Sequence, residues 1–161
     1  MLTLRPARRD DVPLILQFIR ELAEYEREPQ AAVASAEDLL RDGFGDTPLF
    51  YVTLAEWDGV PAGFAFWFLN YSTWLGRPGL YLEDLFVRPP FRKKGIGKAL
   101  LLELARLAVE KGCARFQWQV LDWNTPAIEF YESLGAKQMK EWLTMRVEGE
   151  AIARMAKGGA K

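Results

Sequence analysis

Apolar residues recur along this chain with two periods, and stretches of one period give way to the other. Leu2–Arg5 reads as a first strand. Ile15, Phe18, Ile19 and Leu22 then fall at the three-and-four spacing of one helix face, behind a cap at Asp10 or Asp11. Ser35 with Asp38 has the pattern of a capping box opening a short helix, and Gly43 is placed to end it. Phe50–Trp57 and Ala62–Asn70 are aromatic-rich strand runs joined at Asp58-Gly59, a hairpin signal. Leu80–Val87 is a further strand. A helix from about Lys98 to Lys111 turns Leu100, Leu101, Leu104, Leu107 and Ala108 inward and stops at Gly112. Arg115–Leu121 is predicted as a strand. Thr125–Leu134 is predicted as a helix, with Pro126 in its first turn and Gly135 at its end. Trp142–Val147 reads as a last strand, Glu148 to about Ala156 as a closing helix, and Lys157–Lys161 as a frayed tail. The order β-α-α-β-β-β-α-β-α-β predicts an α/β fold, a mixed sheet flanked by helices. With no repeat or linker, the 161 residues are expected to form one domain.

Composition narrows the chemistry. Half the residues are hydrophobic and 27% are charged, as in ordinary globular proteins. The 21 basic and 22 acidic side chains leave a net charge of −1, which gives no global reason to expect nucleic acid. No apolar run has the length of a membrane span, and the charged N-terminus lacks the apolar core of a signal peptide. Cys113 is the single cysteine, so no internal disulfide forms; a reducing cytoplasm is the expected setting, and Cys113 reads as structural. Histidine is absent, which removes the commonest general base and metal ligand, and no metal is expected.

The most informative segment is Leu82–Ala105. Pro89 and Pro90 stop a strand, and Arg92-Lys93-Lys94-Gly95-Ile96-Gly97-Lys98 leads straight into a helix. The first N–H groups of a helix lack internal partners and attract anions. Glycines let a phosphate approach the backbone, and Arg92, Lys93, Lys94 and Lys98 add positive charge. A pyrophosphate suits this mouth. Both GxxxxGK[ST] and GxGxxG are missing, and glycines alone would fit a plain turn with solvated lysines. The pattern [RQ]xxGxG between strand and helix resembles the acetyl-coenzyme A signature of the GNAT N-acetyltransferase superfamily.

The resemblance spans nearly the whole chain. RELAEYE (residues 20–26), DGFGDTPLFY (42–51), YSTWLGR (71–77), YLEDLFV (81–87) and VLDWNTPAIEFYESLGA (120–136) are similar to the branch of diamine (spermidine/spermine) and thialysine acetyltransferases. It implies the GNAT fold, a sheet splayed between two central strands with pantetheine in the gap, acetyl-CoA as co-substrate, and a homodimer. By the same resemblance Leu85, Phe86 and Val87 offer backbone groups to pantetheine, and residues 93–98 wrap the pyrophosphate. Asn124, with Thr125, Pro126 and Ala127, meets the coenzyme, and Tyr131 stands near the thioester sulfur. Tyr25, Glu26 and Trp74 line the amine channel, and Gln117, Trp118 and Gln119 touch substrate. The chain departs from the branch between Gly135 and Trp142, where a few residues are lacking and the place of Glu141 is open.

Acetyl transfer to an amine requires an acceptor for the ammonium proton and a donor for the leaving thiolate. Glu83, a carboxylate in an apolar strand, is the candidate base, acting through water, with its pKa raised by burial. Asp84, its neighbour, is expected on the opposite face in a structural or charge role. Tyr131 is the candidate acid. By the same resemblance Ser72 stands where the polyamine-acetylating type has an aspartate, which favours a substrate with one side-chain amine, such as thialysine or a lysine-like amino acid, over a long polycation and leaves a short diamine open. A non-catalytic acyl-coenzyme A-binding protein, a peptide N-terminal acetyltransferase and a nucleotide-phosphate enzyme are the alternatives. The first needs neither Glu83 nor Tyr131, the second needs an open groove, and the third lacks its loop motifs.

Overall fold

A computed structural model describes residues 1–159; of the tail expected to fray, residues 160–161 lie outside the described residues. The elements are β1 (Leu2–Pro6), α1 (Val12–Tyr25), α2 (Ala36–Gly43), β2 (Tyr51–Trp57), β3 (Val60–Ser72), β4 (Arg77–Val87), α3 (Ile96–Glu110), β5 (Arg115–Trp118), α4 (Thr125–Ser133) and α5 (Glu150–Ala156). They fall into two compact units, Met1–Gln119 and the remainder from Val120.

In the first unit the strands lie in the order β1-β2-β3-β4-β5. The first four pair antiparallel, and β5 runs parallel to β4. This is the expected mixed sheet with flanking helices. Val12, Ile15, Phe18 and Leu22 of α1 pack with Leu39 of α2 on Phe50, Val52, Leu54, Phe64 and Phe86 of the sheet side. Phe18 stacks on Phe64 at 5.2 Å. Ile96, Leu100, Leu101, Leu104 and Ala108 form the buried stripe of α3. Apolar burial of this kind supplies most of the driving force for folding.

Two features of β4 shape everything that follows. Its register against β3 shifts: Trp67 faces Leu82, but Phe66 faces Asp84, so Glu83 is an inserted bulge residue. Its ladder with β5 runs only from Gly79↔Arg115 to Leu82↔Trp118, although β4 continues to Val87. The sheet therefore parts beyond Leu82, as the resemblance implies.

The second unit departs from expectation. Helices α4 and α5 form, but Trp142–Val147 is not a strand. Every residue from 141 to 149 is exposed, with Leu143 83% and Met145 89% accessible. Alternating apolar residues signal a strand only where a neighbour supplies a ladder, and no ladder forms here among the described residues. The strand predicted to Leu121 also ends earlier, at Trp118.

Candidate active site

The loop between β4 and α3 is built to leave backbone donors open. After β4, Pro89–Phe91 forms a short 3-10 turn. Lys93 (φ 64°) and Gly95 (φ 78°) both adopt left-handed backbone conformations, and Gly95 is the cap position of α3, with no side chain capping the helix. The α3 start thus keeps its orphan N–H groups. At Gly97 an added Cβ would meet only Val87 Cγ2, at 3.9 Å, so the fold itself leaves that space free. Lys93 and Lys98 are exposed, and no ion pair among the described residues holds them. Lys94 Nζ lies 4.9 Å from the Trp57 ring. The donor set fits a pyrophosphate: open backbone N–H groups, two free ammonium groups, and room beside the glycines.

Arg92 is oriented differently from its neighbours. Its Nε donates to Val87 O at 2.9 Å, and its guanidinium lies 4.9 Å from the centre of the Tyr25 ring and 5.8 Å from that of Phe86. It faces the end of α1 as well as the loop.

The bulge corrects the expectation for the two carboxylates. Asp84 shares the face of Phe66, which packs on the α1 side of the sheet. Glu83 follows Leu82, which shares the opposite face with Trp67, so alternation brings Glu83 to the side of Asp84 rather than away from it. Glu83 is exposed, not buried. Asp84 is the desolvated carboxyl: burial, then the charges of Glu83 and Glu26, push its pKa up to about 7. Glu26 keeps accessible surface, but the protein around it still raises its carboxyl above the ordinary value. Among the described residues no cation pairs with any of these three carboxylates. Such a cluster attracts a cation.

The remaining positions separate into groups. Leu85, Phe86 and Val87 lie on the part of β4 beyond the β5 ladder. Trp118 is paired with Leu82 at the parting point, and Gln117 with Tyr81; Gln119 lies just past the strand and is exposed. Trp74, 89% exposed, sits at the β3–β4 hairpin tip. Six residue steps along β4, roughly 20 Å of strand, lead from Arg77 beside that tip to Glu83, so Trp74 does not reach the carboxylates of its own chain. Ser72 is 4% exposed, and its Oγ accepts from Leu75 N at 3.2 Å. It lies in the β3–β4 hairpin turn.

In the second unit Asn124 is the cap residue of α4, Pro126 lies in the first turn with Thr125 and Ala127, and Ile128 N donates to Asn124 O at 3.0 Å. Tyr131 lies seven positions after Asn124, two turns on, so the two share a helix face. Its ring is partly buried and 5.5 Å from that of Phe130. Glu141 is exposed in the segment without regular structure.

A cavity of about 450 Å³ in the first unit, lined by Leu4, Phe44, Tyr51, Trp67 and Arg106 among others, contains none of the predicted site residues. The described residues hold no cluster of three or more metal-ligating side chains and no helix long and apolar enough to cross a membrane.

Residues 15–136 match the Acetyltransferase (GNAT) family. The chain is 40% identical over 164 residues to a thialysine N-epsilon-acetyltransferase of Sus scrofa, covering 95% of this chain and 96% of that one. It is 47% identical over 100 residues to an L-ornithine N5-acetyltransferase of Arabidopsis thaliana, covering 62% of this chain and 44% of the relative. An integron cassette protein from V. cholerae superposes with a TM-score of 0.82 at 28% identity, over 97% of this chain and 98% of that structure. With the parted strands, the open anion loop and a family match across most of its length, the chain belongs to the GNAT family of acetyltransferases.

Proposed function

We propose that this protein moves the acetyl group of acetyl-CoA to the side-chain primary amine of a small amino acid of the thialysine or ornithine kind. The observation that carries the reading is the set of three carboxylates, Glu26, Glu83 and Asp84, with no ion pair to a cation among the described residues, beside the point where β4 and β5 part. The family is one of acetyltransferases, and the named relatives are a thialysine N-epsilon-acetyltransferase and an L-ornithine N5-acetyltransferase. Acetyl-CoA supplies the thioester-bound acetyl group. The α3 start with Lys93, Lys94 and Lys98 holds its pyrophosphate, Leu85–Val87 meet its pantetheine arm, and Asn124–Ala127 meet the coenzyme.

The amine arrives as an ammonium ion, drawn by Glu26 and Glu83 with Gln117, Trp118 and Gln119 beside it. Asp84 takes its proton. A carboxyl with a pKa near the working pH is the better acceptor, because it is both partly ionised and basic enough. Glu83 moves from base to binder, and Glu83 and Glu26 together set the basicity of Asp84. Tyr131 gives its phenol proton to the departing thiolate. A homodimer in a single-domain chain gives Trp74 its place, in the amine channel of the second copy. The reading needs no metal, nucleic acid or membrane, and its setting is the cytoplasm.

The test is coenzyme A thiol release from acetyl-CoA with thialysine, ornithine, lysine, putrescine, spermidine and a peptide N-terminus. Release with the amino acids above spermidine supports the proposal. Release with the peptide alone replaces it by the protein-acetylating reading. Tight acetyl-CoA binding without release on any amine leaves only the acyl-CoA-binding alternative.

A further inference from the structure

The surface that joins the anion loop to α1 has a regular construction. Glu21 and Tyr25 are one turn apart on α1, and Arg88 and Arg92 flank the 3-10 turn at the loop entrance. Arg88 forks onto Glu21 with Nε and Nη2, both at 2.9 Å, gives Nη1 to Pro61 O at 3.1 Å, and lies over the Phe18 ring at 4.6 Å. Arg92 repeats the move one turn further along α1, with Tyr25 in place of a carboxylate and Val87 O as the acceptor. Tyr25 is the last residue of α1, and Glu26 is next. Arg27 then turns left-handed at φ 67°, with Arg27 N on Glu24 O and Glu28 N on Ala23 O. The helix end is tightly wound, so fixing the Tyr25 ring fixes the start of Glu26, whose charge acts on Asp84.

We infer that Arg92 is a positioning residue that couples occupancy of the anion loop to the placement of Glu26 in the amine site. The inference rests on the proposed function for what the two sites bind. One Arg92 donor is committed to Val87 O and the guanidinium face to Tyr25, so its main work is done away from the loop mouth. A lysine keeps the charge but loses the planar stacking face and the Nε donor. A phosphate held at the loop orders the backbone at Arg92, which steadies Tyr25 and, through it, Glu26. Acetyl-CoA and amine then bind with positive coupling.

The experiment compares wild type, Arg92→Lys, Tyr25→Leu and the double variant. Arg92→Lys is expected to raise the amine KM about 10-fold, while the acetyl-CoA Kd, by titration calorimetry, moves less than about 3-fold. The double variant is expected to be no worse than the poorer single variant, because both remove one contact. A weakened acetyl-CoA Kd with unchanged amine KM, or additive effects in the double variant, overturns the inference and leaves Arg92 as an anion ligand alone. A second readout needs no turnover. In wild type, acetyl-CoA slows amide hydrogen exchange over residues 22–28, and in Arg92→Lys it does not. Unchanged exchange in wild type overturns the coupling, whereas an enzyme that shows this protection but acetylates no amine overturns the proposed function instead.

Discussion

Two helix starts in the first unit are built on opposite plans. At α2, Ser35 Oγ accepts from Asp38 N at 3.2 Å and Asp38 accepts from Ser35 N at 2.9 Å, closing a reciprocal capping box. The Asp38 carboxyl is held below its ordinary value, first by the Ser35 backbone donor. At α3, a left-handed Gly95 stands where a capping side chain would be. The nearby carboxyl at Asp84, on the strand leading to that loop, is pushed the other way, up to about 7. The first plan satisfies its capping groups locally and serves the fold. The second leaves donors and an awkward carboxyl for something outside the chain to satisfy. Unsatisfied groups persist where binding offsets their cost.

The sharpest way to break this comparison is at Gly97. Gly97→Val fills the space the fold leaves empty, and acetyl-CoA affinity should fall by about 100-fold with the melting temperature moved by no more than about 3 °C. Isothermal titration and thermal unfolding read the two effects; a large loss of stability with intact binding would make Gly97 a packing residue.

Asp84→Asn comes next. It should lower kcat/KM for the amine by about 30- to 100-fold at pH 7, and should abolish the rise in kcat/KM through about pH 7 expected of wild type. Its effect on stability has the opposite sign. The folded state holds the Asp84 proton more tightly than the unfolded chain, so wild type loses stability as pH rises from the ordinary aspartate value of 3.8 to about 7. Asp84→Asn should therefore unfold later than wild type at pH 8, by roughly 1–2 kcal/mol, with the difference narrowing below pH 4. Denaturant titrations at the two pH values check it.

Ser35→Ala gives the smaller effect: about 1 kcal/mol of stability lost, and steady-state kinetics unchanged. Smallest is the pH signature of Asp38→Asn. Asp38 contributes stability above the ordinary aspartate value of 3.8 that fades as pH falls through its depressed folded pKa, so the variant should differ from wild type at pH 7 and converge with it in acid. If the kinetics of either α2 variant changed, the division of labour between the two helix starts would be lost.

Much of this was legible in the sequence because it depends on local signals. The Ser35–Asp38 box, the Asp58-Gly59 hairpin and the α3 stripe all rest on residues within one or two turns of each other. The glycine turn opening α3 was legible for the same reason. The shared side of Glu83 and Asp84 was not. A strand pattern has period two, and an inserted residue leaves no mark on it when both positions are acidic; only the pairing of Asp84 with Phe66 exposes the bulge. Arg92 was read by its charge among lysines, yet its partners lie 5 and 67 residues away in the chain, at Val87 and Tyr25. Trp142–Val147 shows the converse failure, an alternating pattern with no ladder formed among the described residues.

The early end of the β4–β5 ladder carries a consequence for how the protein lives between turnovers. Five residues, Glu83–Val87, continue β4 past its parallel neighbour. An open strand edge invites wrong partners, including other chains. A ligand whose arm lies along that edge acts as a missing strand. By mass action it favours the native state by about 2.7 kcal/mol when present at 100 times its Kd. The co-substrate is then also a folding ligand, and the level of acetyl-CoA around the protein would set how long each copy survives as well as how fast it works.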